Sequence, residues 1–567
     1  YNFLLPELSN EVEAAQSVKD KPILVITGNP PYSYESRNKG AHAQASVEAY
    51  KKIDGKSLGE KNPRAVQDDY VKFIRFAQTK MEAPGVEHGI VGIITNHSWL
   101  DNITLRGMRR SLMHTFDQIY VLDLHGNAEK GERAPDGGKD ENVFEIKQGV
   151  AIALLVKKPE GERGVWRADF FGKQESKYEK TARLSKTTLE WQKLEPVPPN
   201  FLFSARDNEA ASLYETFYSV SKAFVVSNVG IVTSRDSLSI HFNLEELMKT
   251  VRDFSALAVE EARKKYGLGP DARDWRVEWA QKDLHSDAIE EKYVRTVLYR
   301  PFDPRLTYYT GKLKGLHSYP RRDLTKHLIN HDNVTLITSR FTKGEDFKHV
   351  QVSDGIVEKI CLSPKTSNNG FVFPLYLFSD QGRTENIARE LRASLGSRYD
   401  HNFTAEEIFG YIYAVLHAPT YRSLYADFLR SDFPRVPFPE TAAQFEALSS
   451  LGWRLVQAHL LRDVPHSGLA AYHGKGDHTV EKPRYASVEQ AIHINATQFF
   501  APVPQNVWDF SIGGYQVIAK YLKRRAGRTL SLDEIDHIAK VADCLAFTIE
   551  QMQRIDAAYR AAFPSGG

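Results

Sequence analysis

The spacing of apolar residues changes period several times within the first 160 positions. Pro22 to Thr27 (PILVIT) is a short, mostly apolar and β-branched run, the pattern of a buried strand. Asp68 to Met81 (DDYVKFIRFAQTKM) sets Tyr70, Phe73, Ile74 and Ala77 on one face of a helix. Gly89 to Thr95 (GIVGIIT) reads as a second buried strand and Leu105 to Phe116 as a second helix. Gln118 to Leu124 (QIYVLDL) and Val150 to Lys157 (VAIALLVK) are two further strands. Strands alternating with helices predict an α/β layered sheet. Only the polar, Gly-rich HGNAEKGERAPDGGKDEN separates the last two strands, so they are expected to pair antiparallel.

The texture then shifts. Residues 158 to 205 are charged and end in EPVPPN, the composition of a linker. From 206 the patterns mix. Helices are predicted at 206–222, 243–266, 282–298, 383–395, 404–417, 421–430, 440–462 and 531–560. Strands are predicted at 229–233, 305–310, 333–339 and 371–377. No repeat recurs at a fixed period. The expected organisation is an α/β domain over 1–160, a linker over 161–205 and an α+β domain over 206–567.

Composition narrows the function classes. A chain of 567 residues with 42% hydrophobic content has room for about two to four domains. Net charge is +2, so any nucleic-acid surface must be a local patch. The two cysteines, Cys361 and Cys544, are too few for a disulfide scaffold or a four-thiolate metal site, and they suit a reducing cytoplasm. No His/Cys cluster suggests zinc, and no metal is expected. The apolar run GVAIALLV falls well short of the roughly 18 residues a membrane span needs, so no membrane partner is expected. The opening YNFLLPELSNEVEAAQ does not read like a natural start; a piece of a longer polypeptide is expected.

The chemistry centres on Asn29-Pro30-Pro31-Tyr32, directly after the first strand. Two prolines stiffen the backbone and remove two donors. In an open α/β sheet, ligands bind beyond the carboxyl ends of the strands. The Asn29 side-chain carbonyl and the Pro30 carbonyl then stand as two fixed acceptors beside the Tyr32 ring. An amino group on a planar heterocycle matches two acceptors and a ring. Holding both N–H bonds orients the nitrogen for attack on a methyl donor, through positioning and stabilisation of developing positive charge. The bland alternative is a rigid strand-to-turn corner.

This motif resembles that of the amino-methyltransferases acting on adenine N6, and it occurs in protein-glutamine methyltransferases too. The order of GIVGIITNHSWLDN (89–102), LRGMRRSLMHTFDQIYVLDLHG (105–126) and VFEIKQGVAIALLVKK (143–158) follows the same pattern. Over its length the chain resembles the methyltransferase and target-recognition portion of type ISP restriction–modification enzymes. Residues 403–439 and 512–535 are the most specific parts of that likeness. The resemblance implies the C-terminal part of a Rossmann-like, S-adenosylmethionine-dependent sheet followed by a large α+β target-recognition domain. It also implies upstream nuclease and helicase domains on one polypeptide, and double-stranded DNA as partner. Asn29 and Pro30 would hold the adenine amino group, Pro31 would stiffen the corner, and Tyr32 would stack on the base. Phe144 would face the other side of the ring, or else plug the sheet edge as a loop aromatic.

Such enzymes hold S-adenosylmethionine on a Gly-rich turn after the first strand. YGLGP (266–270), HGKGD (473–477) and DGGKD (136–140) do not follow a strand and open a helix, so the main cofactor motif is expected upstream of Tyr1, with Asn29 alone near the cofactor. The loose Pro135-Asp136…Glu145-Ile146-Lys147 pattern resembles a nuclease signature but lacks fixed ligand placement. A base within a duplex must be flipped out to be modified. Grip on the flanking DNA is expected from Lys312, Lys314, Arg321, Arg322 and Lys326 and from Arg340, Lys343 and Lys348, each of which could equally be an ordinary surface cation. Two further classes fit the sequence: a DNA-recognition module without catalysis, and a methyltransferase acting on protein glutamine or RNA.

Overall fold

The computed structural model describes residues 11–14, 16, 24–32, 36, 38, 40–58, 64–128, 132, 134–136, 138–183, 189–204, 213–342 and 345–564. The chain divides into two units, Tyr1–Asn208 and Glu209–Gly567. In the first, the apolar runs become β1 (Val25–Gly28), which is mostly exposed and not the buried strand expected over 22–27, with Pro22 and Ile23 outside the described residues, and β2 (Gly89–Asn96), β3 (Gln118–Asp123) and β4 (Val150–Lys157). With β5 (Gly164–Asp169) and β6 (Gln192–Leu194) they form a six-stranded sheet in the order β1-β2-β4-β3-β5-β6. β1 runs parallel to β2, and β3 parallel to β5. β4 lies between β2 and β3 and is antiparallel to both, with Val121 opposite Ala153. This is the antiparallel pairing that the helix-free connection required. It follows that β1, β2, β3 and β5 all end at one edge of the sheet.

Helices α1 (Asp69–Met81) and α2 (Arg106–Thr115) form where the 3.6 period predicted them. α1 buries Tyr70, Val71, Ile74, Ala77, Gln78 and Met81. Phe73, expected on that face, is 49% exposed, because the buried stripe is centred on 70, 74, 77 and 81 and passes it by. Residues 161–205 do not form the expected linker. They supply β5, helix α3 (Gln174–Ala182) and β6 to the sheet. Their core contribution is Val165, Ala168, Leu194, Phe201 and Phe203, few enough that charge dominates the composition although the backbone is paired.

The second unit packs around a core that includes α4 (Ala405–His417), α5 (Ala442–His459) and α6 (Leu532–Ala562). Each of these helices starts at a capping box: Thr404 with Glu407, Thr441 with Gln444, Ser531 with Glu534. α4 and α5 approach closely at Gly410 and Gly452, where neither helix carries a side chain. Among its sheets, Asn228–Val229, Gly370–Pro374, Thr335–Ser339 and Val350–Ser353 form a four-stranded antiparallel one. Several expectations here are corrected. The predicted helix at 282–298 is a helix over Val277–His285 and a strand over Val294–Arg300, whose β-branched Val294, Thr296 and Val297 pair with Tyr308, Leu306 and Arg305. The predicted helix at 383–395 is a strand, Gly382–Glu385, followed by a helix over Arg389–Tyr399. The predicted helix at 243–266 is two helices, Leu244–Ala256 and Val259–Lys265.

Candidate functional site

The edge shared by the ends of β1, β2, β3 and β5 collects the polar residues that terminate each apolar run. Asn29 follows β1 and is exposed, Pro30 is buried, Pro31 is exposed and Tyr32 is half-buried. Tyr32 Oη donates to Asn29 Oδ1 at 3.1 Å and lies 3.3 Å from the Ile94 carbonyl on β2. Its ring meets Tyr70 edge-on, with centroids 6.4 Å apart. Burial pushes the Tyr32 phenol up to about 12, so it remains a neutral donor at ordinary pH. The corner is therefore braced by its own hydroxyl, while Asn29 Oδ1 keeps a second lone pair and faces solvent. Phe144 is half-buried. It packs on the Leu122, Leu124, Val143, Val150 and Ala168 cluster, as Ile94 also does.

Beside this corner lies a buried polar network that sequence reasoning missed. His97 follows β2, Asp123 ends β3, His125 follows it, and Arg167 and Asp169 close β5. His97 Nδ1 is 3.0 Å from Asp123 Oδ1, and Arg167 donates to Asp123 Oδ2 at 2.8 Å. His125 reaches Glu132 through Nδ1 and Asp169 through Nε2, both at 2.8 Å. Asp123 is penalised by burial, but His97, His125 and Arg167 outweigh this and hold its carboxyl well below the usual range. His97, Asp123 and His125 bring donor atoms within 4.8 Å of one another, the spacing of a cation site. Here Arg167 and His125, held between two carboxylates, supply the positive charge, while His97 Nε2 faces the Asn127 Nδ2 donor at 3.0 Å. The signal for this network was present in the chain: two strands run straight into NH and DLHGN, polar residues no surface turn needs. What hid it is the separation of 26 and 44 residues between partners that touch.

The expected DNA-facing cations are scattered in behaviour. Lys312 and Lys314 are exposed on a loop, Lys312 bonded to Ser286 and Lys314 4.9 Å from the Trp279 ring centre. Arg321 is half-buried in the left-handed region at φ 56° and stacks 5.0 Å from Tyr319, and burial lowers its pKa. Arg322 and Lys326 flank it on the surface, around the short helix Arg322–Thr325. Arg340 pairs with Asp432 at 2.9 Å, and Lys348 is exposed. Lys343 lies outside the described residues. In the loose nuclease-like pattern, Asp136, Glu145 and Lys147 are exposed, and Asp136 accepts from the Gly138 amide as a turn residue.

The first unit is thus a mixed α/β sheet with a polar carboxyl edge, followed by a larger α+β unit of several small sheets and long capped helices. The model of the type ISP C-terminal specificity domain matches residues 222–554, more than half of the chain, and the chain belongs to that family. Three solved structures share the fold over nearly all of it. A nuclease-deletion mutant of the type ISP restriction-modification enzyme LlaGI, in complex with a DNA substrate mimic, matches 96% of this chain at 20% identity and a TM-score of 0.69. The DrdV–DNA complex matches 96% at 22% identity and 0.69. The ATP-dependent type ISP restriction-modification enzyme LlaBIII bound to DNA matches 97% at 20% identity and 0.72. The chain spans 54%, 58% and 39% of those three chains respectively. No curated protein sequence matches it significantly. Among the described residues, no helix is long and apolar enough to cross a membrane.

Proposed function

We propose that this chain is the C-terminal methyltransferase portion and specificity domain of an adenine-N6 DNA methyltransferase within a larger restriction–modification polypeptide. The carrying observation is the Asn29–Tyr32 corner: a stiff turn on the carboxyl edge of a sheet, with an exposed amide oxygen beside a braced phenol ring. In this reading Asn29 Oδ1 and the Pro30 carbonyl accept the two N–H bonds of the adenine amino group, and Pro31 keeps the turn rigid. Their dipoles oppose the positive charge that grows on nitrogen as it attacks. Tyr32 and Phe144 cover the two faces of the flipped base.

S-adenosylmethionine would supply the methyl group. Of this chain's residues, only Asn29 stands at the strand end that would approach it. Leu24 and Val25, whose side chains point to opposite faces, are 59% and 60% exposed, and among the described residues β1 lies at the edge of the sheet; both support this division. Double-stranded DNA as partner rests on membership of a specificity-domain family and on the DNA-bound state of the related enzymes. The exposed Lys312, Lys314, Arg322, Lys326 and Lys348 are the phosphate contacts we assign.

The test is methyl transfer from labelled S-adenosylmethionine to unmethylated DNA by the full-length polypeptide. Asn29→Ala should abolish transfer and leave DNA binding intact. Unchanged transfer would reduce the corner to a structural turn and leave a DNA-recognition module. Transfer to RNA or to protein glutamine instead of DNA would favour the other substrate classes.

A further inference from the structure

The network behind the corner has a second property. Both ring nitrogens of His125 lie 2.8 Å from carboxylate oxygens, which accept and cannot donate once ionised. Two such contacts require both nitrogens to carry protons, so His125 sits there as an imidazolium. The groups facing it are Asp123, Glu132 and Asp169, Arg167 bridging Asp123 and Asp169, and the Phe171 ring stacked at 3.8 Å; His97 lies across at 6.3 Å. The backbone is committed as well. His125 has φ 51°, and Gly126 has φ 77° with no room for a side chain, because a Cβ would fall 2.4 Å from Asn142 Cα. Gly149 is equally constrained, as its Cβ would meet the His97 ring at 2.3 Å.

A short path joins this cation to Phe144. Asn142 Nδ2 donates to the Gly126 carbonyl at 3.0 Å and to the Gln148 carbonyl at 2.6 Å. The Phe144 amide in turn donates to Asn142 Oδ1 at 2.8 Å. The residue after His125 is thus tied, through one side chain, to the backbone of the aromatic residue.

We propose that His125, clamped between Glu132 and Asp169, is a positioning residue: it latches Glu132 and the chain at Gly126 to the carboxyl edge of the sheet and, through Asn142, sets Phe144 as one wall of the base pocket. The wall's function rests on the methyltransferase reading; the latch itself does not.

The pH dependence follows from the same contacts. Burial alone would lower the His125 pKa, but the hydrogen bonds to Asp169 and Glu132 and the charge of Asp123 outweigh it and raise the value to about 9. A raised folded pKa means the latch contributes fully below the ordinary histidine value of about 6.5 and is lost as pH rises through about 9.

Two measurements decide. The first is hydrogen exchange on this chain, as protection factors for peptides within 124–149. His125→Asn tolerates the left-handed backbone but cannot span both carboxylates. It should lower protection there by about ten-fold or more at neutral pH, with the second unit unmoved. Wild-type protection should fall toward the variant's as pH passes about 9, while the variant stays flat. Glu132→Gln, which keeps the shape and removes one charge, should give a smaller loss in the same peptides. Unchanged protection in both variants, or a wild-type pH profile parallel to that of His125→Asn, overturns the latch. The second is methyl transfer by the full-length polypeptide with His125→Asn, Phe144→Ala and the double variant. Non-additive losses place the latch upstream of Phe144; additive losses, or none for His125→Asn where Asn29→Ala is inactive, overturn that link. If Asn29→Ala retains transfer, the methyltransferase reading fails, and the exchange data still judge the latch alone.

Discussion

Lys177 gives the sharpest stability prediction. Its ammonium and the Asp140 carboxylate are both fully buried and 2.7 Å apart. The same nitrogen donates to the Leu124 and Glu141 carbonyls, each at 2.7 Å, so all three of its protons are used. It ties α3 to both ends of a loop the sequence leaves polar and Gly-rich. Replacing it by methionine keeps the volume but leaves a buried carboxylate without its cation and two carbonyls without donors. Breaking a buried pair from one side costs about 3–5 kcal/mol. Asp140 retains the Gly126 and Gly172 amides as donors, at 2.6 and 2.7 Å, which keeps the cost near the middle, about 4 kcal/mol. At a urea slope of about 2 kcal/mol per molar, Lys177→Met should lower the midpoint of the first unit by about 2 M. Pulse hydrogen exchange on β3 and β5 peptides across a urea titration scores that unit separately. Adding Asp140→Asn removes the stranded charge and should recover part of the loss. A midpoint shift below about 0.5 M for Lys177→Met would show that the buried pair does not hold the loop.

Two further predictions concern the second unit. Gly452→Ala would put a Cβ 1.9 Å from the Gly410 carbonyl, a backbone atom that cannot yield, and should destabilise by about 1–3 kcal/mol. Gly396→Ala, in the helix Arg389–Tyr399 with nothing within 4 Å, should stabilise by about 0.5–1 kcal/mol; calorimetry that finds the same sign for both would refute the close-packing argument. For DNA binding, Lys326→Ala should reduce the slope of log affinity against log salt by about one, measured by fluorescence anisotropy. Arg340→Ala should reduce it less, because Asp432 already holds that guanidinium; equal reductions would refute the assignment of Lys326 as a free phosphate contact.

Elements whose signal is local are legible in the chain. A buried strand declares itself by a run such as GIVGIIT, and a long helix by its period and by caps such as Thr404 with Glu407. The Asn29–Tyr32 corner is legible for the same reason, since strand end, prolines and ring are adjacent in sequence. Elements whose pairing partners are distant are not legible. β5 and β6 look like linker because their few apolar residues are diluted by charge, and only a neighbouring strand satisfies their backbone. Val294–Arg300 alternates in a way that passes for a helix end until Asp303–Tyr308 lies beside it.

The sequence by itself determined most elements of the sheet edge: apolar runs that stop at Asn29, Asn96 and Asp123, with glycines at 126 and 149. The tertiary structure decided what those ends do together. Threading β4 antiparallel between β2 and β3 brings four strand ends to one edge. Only then do His97, Asp123, His125, Arg167 and Asp169 share a buried space, where hydrogen bonds and opposite charges replace the water each has lost. That exchange depends on distances between residues far apart in the chain, and no local pattern encodes it.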